Sequence, residues 1–132
     1  GLGDVYKRQG MVYQANGELK TALEYYEKAL ALCIETGDSE NSNMAKVFCS
    51  LCSFYIAKGE YEIAVEYGLR SYGISSICFV SDHPFNIKVR KYIREAYAAL
   101  GMPLESFNSW LETANTESKA KVQEERTCSL LN

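Results

Sequence analysis

No apolar run in the chain approaches the roughly 18 residues that a membrane-spanning helix needs. No stretch alternates apolar and polar residues as a half-buried strand would. Positive charge is not in excess: 14 Lys and Arg against 17 Asp and Glu leave a net charge of −3, which argues against a general nucleic-acid or membrane-surface binder. Histidine is down to one residue, His83, ahead of Pro84 in a connecting stretch, where a lone histidine serves a helix start more often than catalysis. A glycine-rich phosphate loop, a nucleophile elbow and a carboxylate pair beside a base are all missing. No secretory signal opens the sequence. The expectation is a non-enzyme with no catalytic, metal or cofactor-binding residues.

What the chain does contain is helix. In "GELKTALEYYEKALAL" (Gly17 to Leu32), Leu19, Ala22, Leu23, Tyr26, Ala29, Leu30 and Cys33 recur at spacings of three and four. That spacing puts them on one helical face. Glu24 and Lys28 lie four apart on the opposite face, in the order that favours an ion pair. A hydrophobic content of 47% and a charged content of 23% are ordinary for a folded protein, and 132 residues suit one domain. Five cysteines, an odd number without a small secreted framework, point to free thiols in a reducing cytoplasm. "CSLC" (Cys49 to Cys52) has the spacing of a redox pair or half a zinc site. It sits inside a predicted helix with no second Cys/His pair, so packing is the preferred reading.

The chain also repeats itself. Tyr13 and Gly17 are followed by Tyr55 and Gly59, then by Tyr97 and Gly101, so the glycines fall 42 residues apart (59 − 17 and 101 − 59). A fixed period of this size indicates stacked supersecondary units. Each unit reads as two helices around a turn that its glycine closes. In the middle unit the helices are expected from about Met44 to Lys58 and from about Tyr61 to Ile77. Ser42 and Asp82 are candidate N-caps, the latter with Pro84 just inside. Tyr55 and Ala64 should be buried between the helices of that unit. Gly68 and Gly73 fall inside its second helix, where each costs about 1 kcal/mol relative to alanine. Either the backbone of another helix approaches there or the last turns bend. Arg94 stands where helices meet closely, so its head should reach solvent.

These units resemble tetratricopeptide repeats, whose helix pairs carry a small residue and a tyrosine, a turn glycine, then alanine, an aromatic and alanine. The first unit carries Gly10, Tyr13, Gly17, Ala22, Tyr26 and Ala29. The second has Cys52, Tyr55, Gly59 and Ala64, with Gly68 for the aromatic and Ser71 for the last alanine. The third has Tyr97, Gly101 and Trp110, with Arg94 for the small residue and Ser106 for the first alanine. The 42-residue period and "DHP" before the third unit are similar to the kinesin light chain subtype and its bacterial relatives. The resemblance implies an all-α fold: a right-handed superhelical α-solenoid of about three helix pairs over residues 10–114. Residues 1–9 include "VYKRQ", which resembles translated adaptor sequence, so a non-native extension and an ordinary first helix both stay open. Residues 115–132 are polar, either a capping helix or a tail.

The resemblance further implies a concave groove lined by the first helices, binding a peptide or partner helix. The candidate groove residues are Lys46, Cys49, Ser53 and Ile56 in the middle unit and Lys88, Lys91, Tyr92 and Glu95 in the third. Lys46, Lys88 and Lys91 would make the groove locally basic and suit an acidic peptide. The family's dicarboxylate clamp is broken here, because Met11 replaces its asparagine and Ser50 its arginine, so a chaperone C-terminus is not the expected ligand. Two functions stay open: an interaction module, as a fragment of a larger scaffold or regulator, or a ligand-sensing domain that controls an attached effector. RNA binding would need basic side chains in every unit, and only the third has them.

Overall fold

The structure, a computed structural model, describes residues 1–36 and 42–118. It is an α-solenoid. Helices α1 (Leu2–Ala15) and α2 (Leu19–Glu35) form the first pair, α3 (Ser42–Lys58) and α4 (Tyr61–Cys78) the second. In the third pair α5 (Pro84–Ala99) is followed by a 3-10 turn at Leu104–Ser106 and by α6, residues 107–118. No strand occurs among the described residues.

One backbone motif closes all three pairs. Gly17, Gly59 and Gly101 have φ of +81°, +81° and +80°, the left-handed region that glycine enters without steric cost. The N–H of Gly17 donates to the Gln14 carbonyl at 3.0 Å and that of Glu18 to the Tyr13 carbonyl at 2.9 Å. The same two bonds return as Gly59 to Ile56 and Glu60 to Tyr55, then as Gly101 to Ala98 and Met102 to Tyr97. Such crossed bonds satisfy carbonyls that a helix end would otherwise leave open. The repeated Tyr-x-x-x-Gly phrase is thus a helix stop.

The helix starts are less uniform. The N-cap of α5 is His83, not Asp82: Pro84 is the first helical residue, and His83 Nδ1 accepts from the Phe85 N–H at 3.1 Å. Ser42 is the first described residue of α3, and any cap before it lies outside the described residues. Residues 119–132, with most of the expected polar end and Cys128, also lie outside them.

Packing follows size complementarity between units. Ala22, Tyr26, Ala29 and Cys33 of α2 bury against Met44, Val47, Leu51 and Phe54 of α3. Gly10 admits the Tyr26 ring, since a Cβ on Gly10 would fall 2.6 Å from Tyr26 Cε1. In the second unit the sizes are exchanged. Cys52 takes the small position and Gly68 the aromatic one, and a Cβ on Gly68 would meet Ile93 Cγ1 at 2.6 Å and Cys52 Sγ at 3.1 Å. The space is therefore claimed by the Ile93 side chain of α5, not by a helix backbone. Gly73 is different, with Asn115 Oδ1 at 3.6 Å as its nearest neighbour. Ser71, at the usual alanine position, is fully buried and donates its hydroxyl to the Ala45 carbonyl at 2.7 Å. That bond offsets the cost of burying it. Ala64 is buried as expected, but Tyr55 is only half-buried and stacks on Tyr67 at 5.6 Å. Arg94 is exposed, as a long charged side chain at that position should be.

Candidate functional site

Side-by-side stacking of the pairs brings α1, α3 and α5 together around one groove with a cavity volume of about 220 Å³. Its floor is α3, which presents only small side chains there: Cys49, Ser50, Ser53 and Ala57. One wall is Met11, Gln14 and Ala15 of α1, and the other is Lys88 and Tyr92 of α5. Residues spaced by three or four on a helix share a face, so Cys49, Ser53 and Ala57 follow one another along the floor.

A polar bridge crosses the groove from α2 to α3. The Tyr26 hydroxyl donates to Gln14 Oε1 at 2.8 Å, and Gln14 Nε2 donates to Ser53 Oγ at 3.3 Å. The first bond fixes which end of the Gln14 amide faces the floor. Tyr26 is 1% exposed, and burial pushes its hydroxyl up to about 12. Cys49, 2% exposed, is likewise pushed up by burial, to about 11, while Lys88 and Lys7 pull it back. Burial raises Cys52 to about 12. A protonated buried thiol is a packing group, not a nucleophile, and Cys49 and Cys52 are both free thiols. No group of three or more His, Cys, Asp or Glu that could hold a metal ion occurs among the described residues.

The structure brings together four of the eight residues expected from the sequence: Cys49, Ser53, Lys88 and Tyr92. Lys46 is exposed and lines a neighbouring cleft with Lys7, Leu32 and Val47. In that cleft Asp4 binds Lys7 at 3.3 Å and Arg8 at 3.1 Å, and the Lys7 bond holds the Asp4 carboxyl below its ordinary range. Ile56 is a correction: it packs with Cys52, Ala64 and Ala96 rather than on the floor. Lys91 and Glu95 are exposed outside the groove lining. Sequence reasoning missed Gln14 and Tyr26 as groove residues. Gln14 was reachable, because it stands one period before Ile56. Tyr26 was not, because its ring is core and only its hydroxyl serves the groove.

The family model for the tetratricopeptide repeat matches residues 2–76. The chain belongs to the tetratricopeptide repeat family. Two solved structures are similar, both of a Podosopora anserina protein described as having "kinesin light chain nearly identical TPR-like repeats". One, a single-substitution variant, shares 22% identity over 89% of this chain and 57% of that one, with a TM-score of 0.63. The other shares 26% over 92% and 56%, with a TM-score of 0.61. The chain thus spans a little over half the length of those proteins. None of the curated proteins matches it. Its tetratricopeptide repeats are kinesin-light-chain-like. Repeats of this family are in general non-enzymatic protein-interaction modules. No helix among the described residues is long and apolar enough to cross a membrane.

Proposed function

We propose that the groove over α3 binds a peptide or a partner helix, with acidic segments preferred, and that the chain serves as an interaction module within a larger scaffold or regulator. The observation that carries this reading is the small-residue floor of Cys49, Ser50, Ser53 and Ala57 between the walls of α1 and α5. A floor of short side chains lets a ligand backbone come close, and Tyr92 and Met11 supply apolar contact at its sides. Lys88 at the groove steers acidic partners and offers charge-assisted hydrogen bonds, and the exposed Lys46 and Lys91 on the same two helices, α3 and α5, add to the local positive charge. The free, buried thiols of Cys49 and Cys52 suit a reducing cytoplasm.

The test is a peptide array screened with the wild-type chain and with a Lys46→Glu/Lys88→Glu/Lys91→Glu variant. Acidic peptides should bind the wild type and be lost from the variant. Peptides retained equally by both would mean that this face is not the binding site.

A further inference from the structure

Two hydrogen bonds hold the Gln14 side chain, and together they give the groove floor a direction. Tyr26 is 1% exposed, and the only acceptor for its hydroxyl proton among the described residues is Gln14 Oε1, at 2.8 Å. Turning the amide over would leave that buried proton without an acceptor, which costs more than an ordinary hydrogen bond contributes. The amide oxygen therefore faces Tyr26, and Nε2, with its two hydrogens, faces the floor. One hydrogen goes to Ser53 Oγ at 3.3 Å. Ser53 thus accepts from Gln14, and its own hydroxyl proton has no acceptor among the described residues. A helical serine can return that proton to the carbonyl four residues back. Here it is left for the groove.

We infer that the Gln14–Ser53 pair is a seat for a carboxylate, with Gln14 setting the specificity and Tyr26 as the residue that positions it. This rests on the groove being the binding site. The second hydrogen of Gln14 Nε2 and the Ser53 hydroxyl leave two donors side by side, which the two oxygens of a carboxylate match. A primary amide can satisfy only one of the two, and an ammonium neither. No Asp or Glu lines the groove among the described residues, and Lys88 is the one charged side chain in that lining. The direction also holds over a wide pH range, because burial pushes the Tyr26 hydroxyl up to about 12 and keeps it a donor.

The probes are a capped pentaalanine peptide with glutamate at its centre, its counterparts with glutamine or lysine there, and pentaalanine with a free C-terminal carboxylate. Each is titrated into the full chain while NMR follows the Gln14 side-chain amide and the Ser53 backbone amide. A carboxylate probe should bind roughly tenfold tighter than the glutamine counterpart, and the lysine probe should not bind. Whichever of the glutamate and free-terminus probes binds names the source of the carboxylate. Tyr26→Phe changes no charge and keeps the ring, so a merely structural role would weaken all probes alike. With the amide released, the preference for carboxylate should instead fall toward parity. Gln14→Glu, which can still accept from Tyr26, should reverse it. A preference that ignores both variants would overturn the inference, as would a lysine probe that binds as well as the glutamate one. Ser53→Trp separates this from the groove reading. If it weakens every probe while the preference ignores Tyr26→Phe, only the carboxylate seat falls. If it weakens none, or if no probe shifts the two resonances, the groove reading falls as well.

Discussion

In the first helix pair Tyr13 stacks on Tyr25 with centroids 5.4 Å apart and planes 8° from parallel; in the second, Tyr55 stacks on Tyr67 at 5.6 Å and 7°. Each stack carries a third ring and a cation at the same offsets. Tyr6 and Lys28 serve the first, Phe48 and Arg70 the second. Lys28, expected to pair with Glu24, instead lies 5.1 Å from the Tyr25 ring centroid. One period on, these positions are Arg90, Ser109 and Glu112, and no stack forms. Tyr97 turns inward, 1% exposed, with its edge to Phe107 at 5.3 Å and its ring 4.8 Å from Trp110. Pro103 and a 3-10 turn precede α6 where Glu18 and Glu60 lead straight into α2 and α4. One turn motif therefore supports two ways of holding a pair: a half-exposed aromatic stack, or a buried tyrosine under a tryptophan.

This contrast can be broken in order of size. The largest effect should come from alkali, because four groups of the first two pairs act together: Tyr26, Cys49, Cys52 and Tyr55. Each has a folded pKa raised above its ordinary value of 9.0 for thiols or 10.0 for phenols. Their contribution is thus complete below pH 9 and is lost as pH rises toward 11–12. Urea midpoints should fall steeply across that window, and a flat profile would refute their burial. Next, Tyr97→Ala should cost about 3–5 kcal/mol, the range for fully buried aromatics. Tyr55→Ala should cost clearly less, and equal losses in chemical denaturation would erase the distinction between the pairs.

Glycine substitutions sharpen the comparison further. Gly68→Ala should destabilise by about 1–2 kcal/mol, since overpacking Ile93 outweighs the better helix propensity. Gly73→Ala should stabilise by up to about 1 kcal/mol, and thermal melts of the two should shift in opposite directions. The smallest effect belongs to the cations. Arg70→Ala and Lys28→Ala should each lose about 0.5–1 kcal/mol, whereas Arg90→Ala, with no stack beneath it, should lose nothing measurable.

The fold was legible because its governing constraints are local. A left-handed turn demands glycine, and the carbonyl four residues before it belongs to a tyrosine in every unit, so period and turn are visible together. Pro84 at the first position of α5 already implied a cap at His83, although Asp82 was the more familiar capping residue. The groove was only half legible. A helical face has a direction, but which neighbour fills it depends on the crossing of the next helix. That is why Cys49 and Ser53 lie on the floor while Ile56, one turn along, is taken up by Cys52, Ala64 and Ala96. The Tyr26–Gln14–Ser53 bridge joins three helices, and no spacing within one helix announces it. The exchange of sizes at Gly10/Tyr26 and Cys52/Gly68 was visible as two departures from the repeat, but only the structure shows that Ile93 closes the second.

The central claim is that the groove over α3 is where this molecule binds. It is tested most directly by titrating the best acidic peptide from the array into the wild-type chain and into Ser53→Trp, each at low and at physiological salt. The indole would fill the floor of the groove without entering the core between the pairs. The account predicts that Ser53→Trp keeps a single cooperative melt, its stability lowered by no more than the roughly 0.5–1.5 kcal/mol of the lost Gln14 bond, with affinity reduced roughly tenfold or more, about 1.4 kcal/mol. It also predicts wild-type affinity that weakens with salt, because exposed lysines are screened over about 8 Å at physiological ionic strength. Equal affinity in both chains, with no dependence on salt, would contradict it.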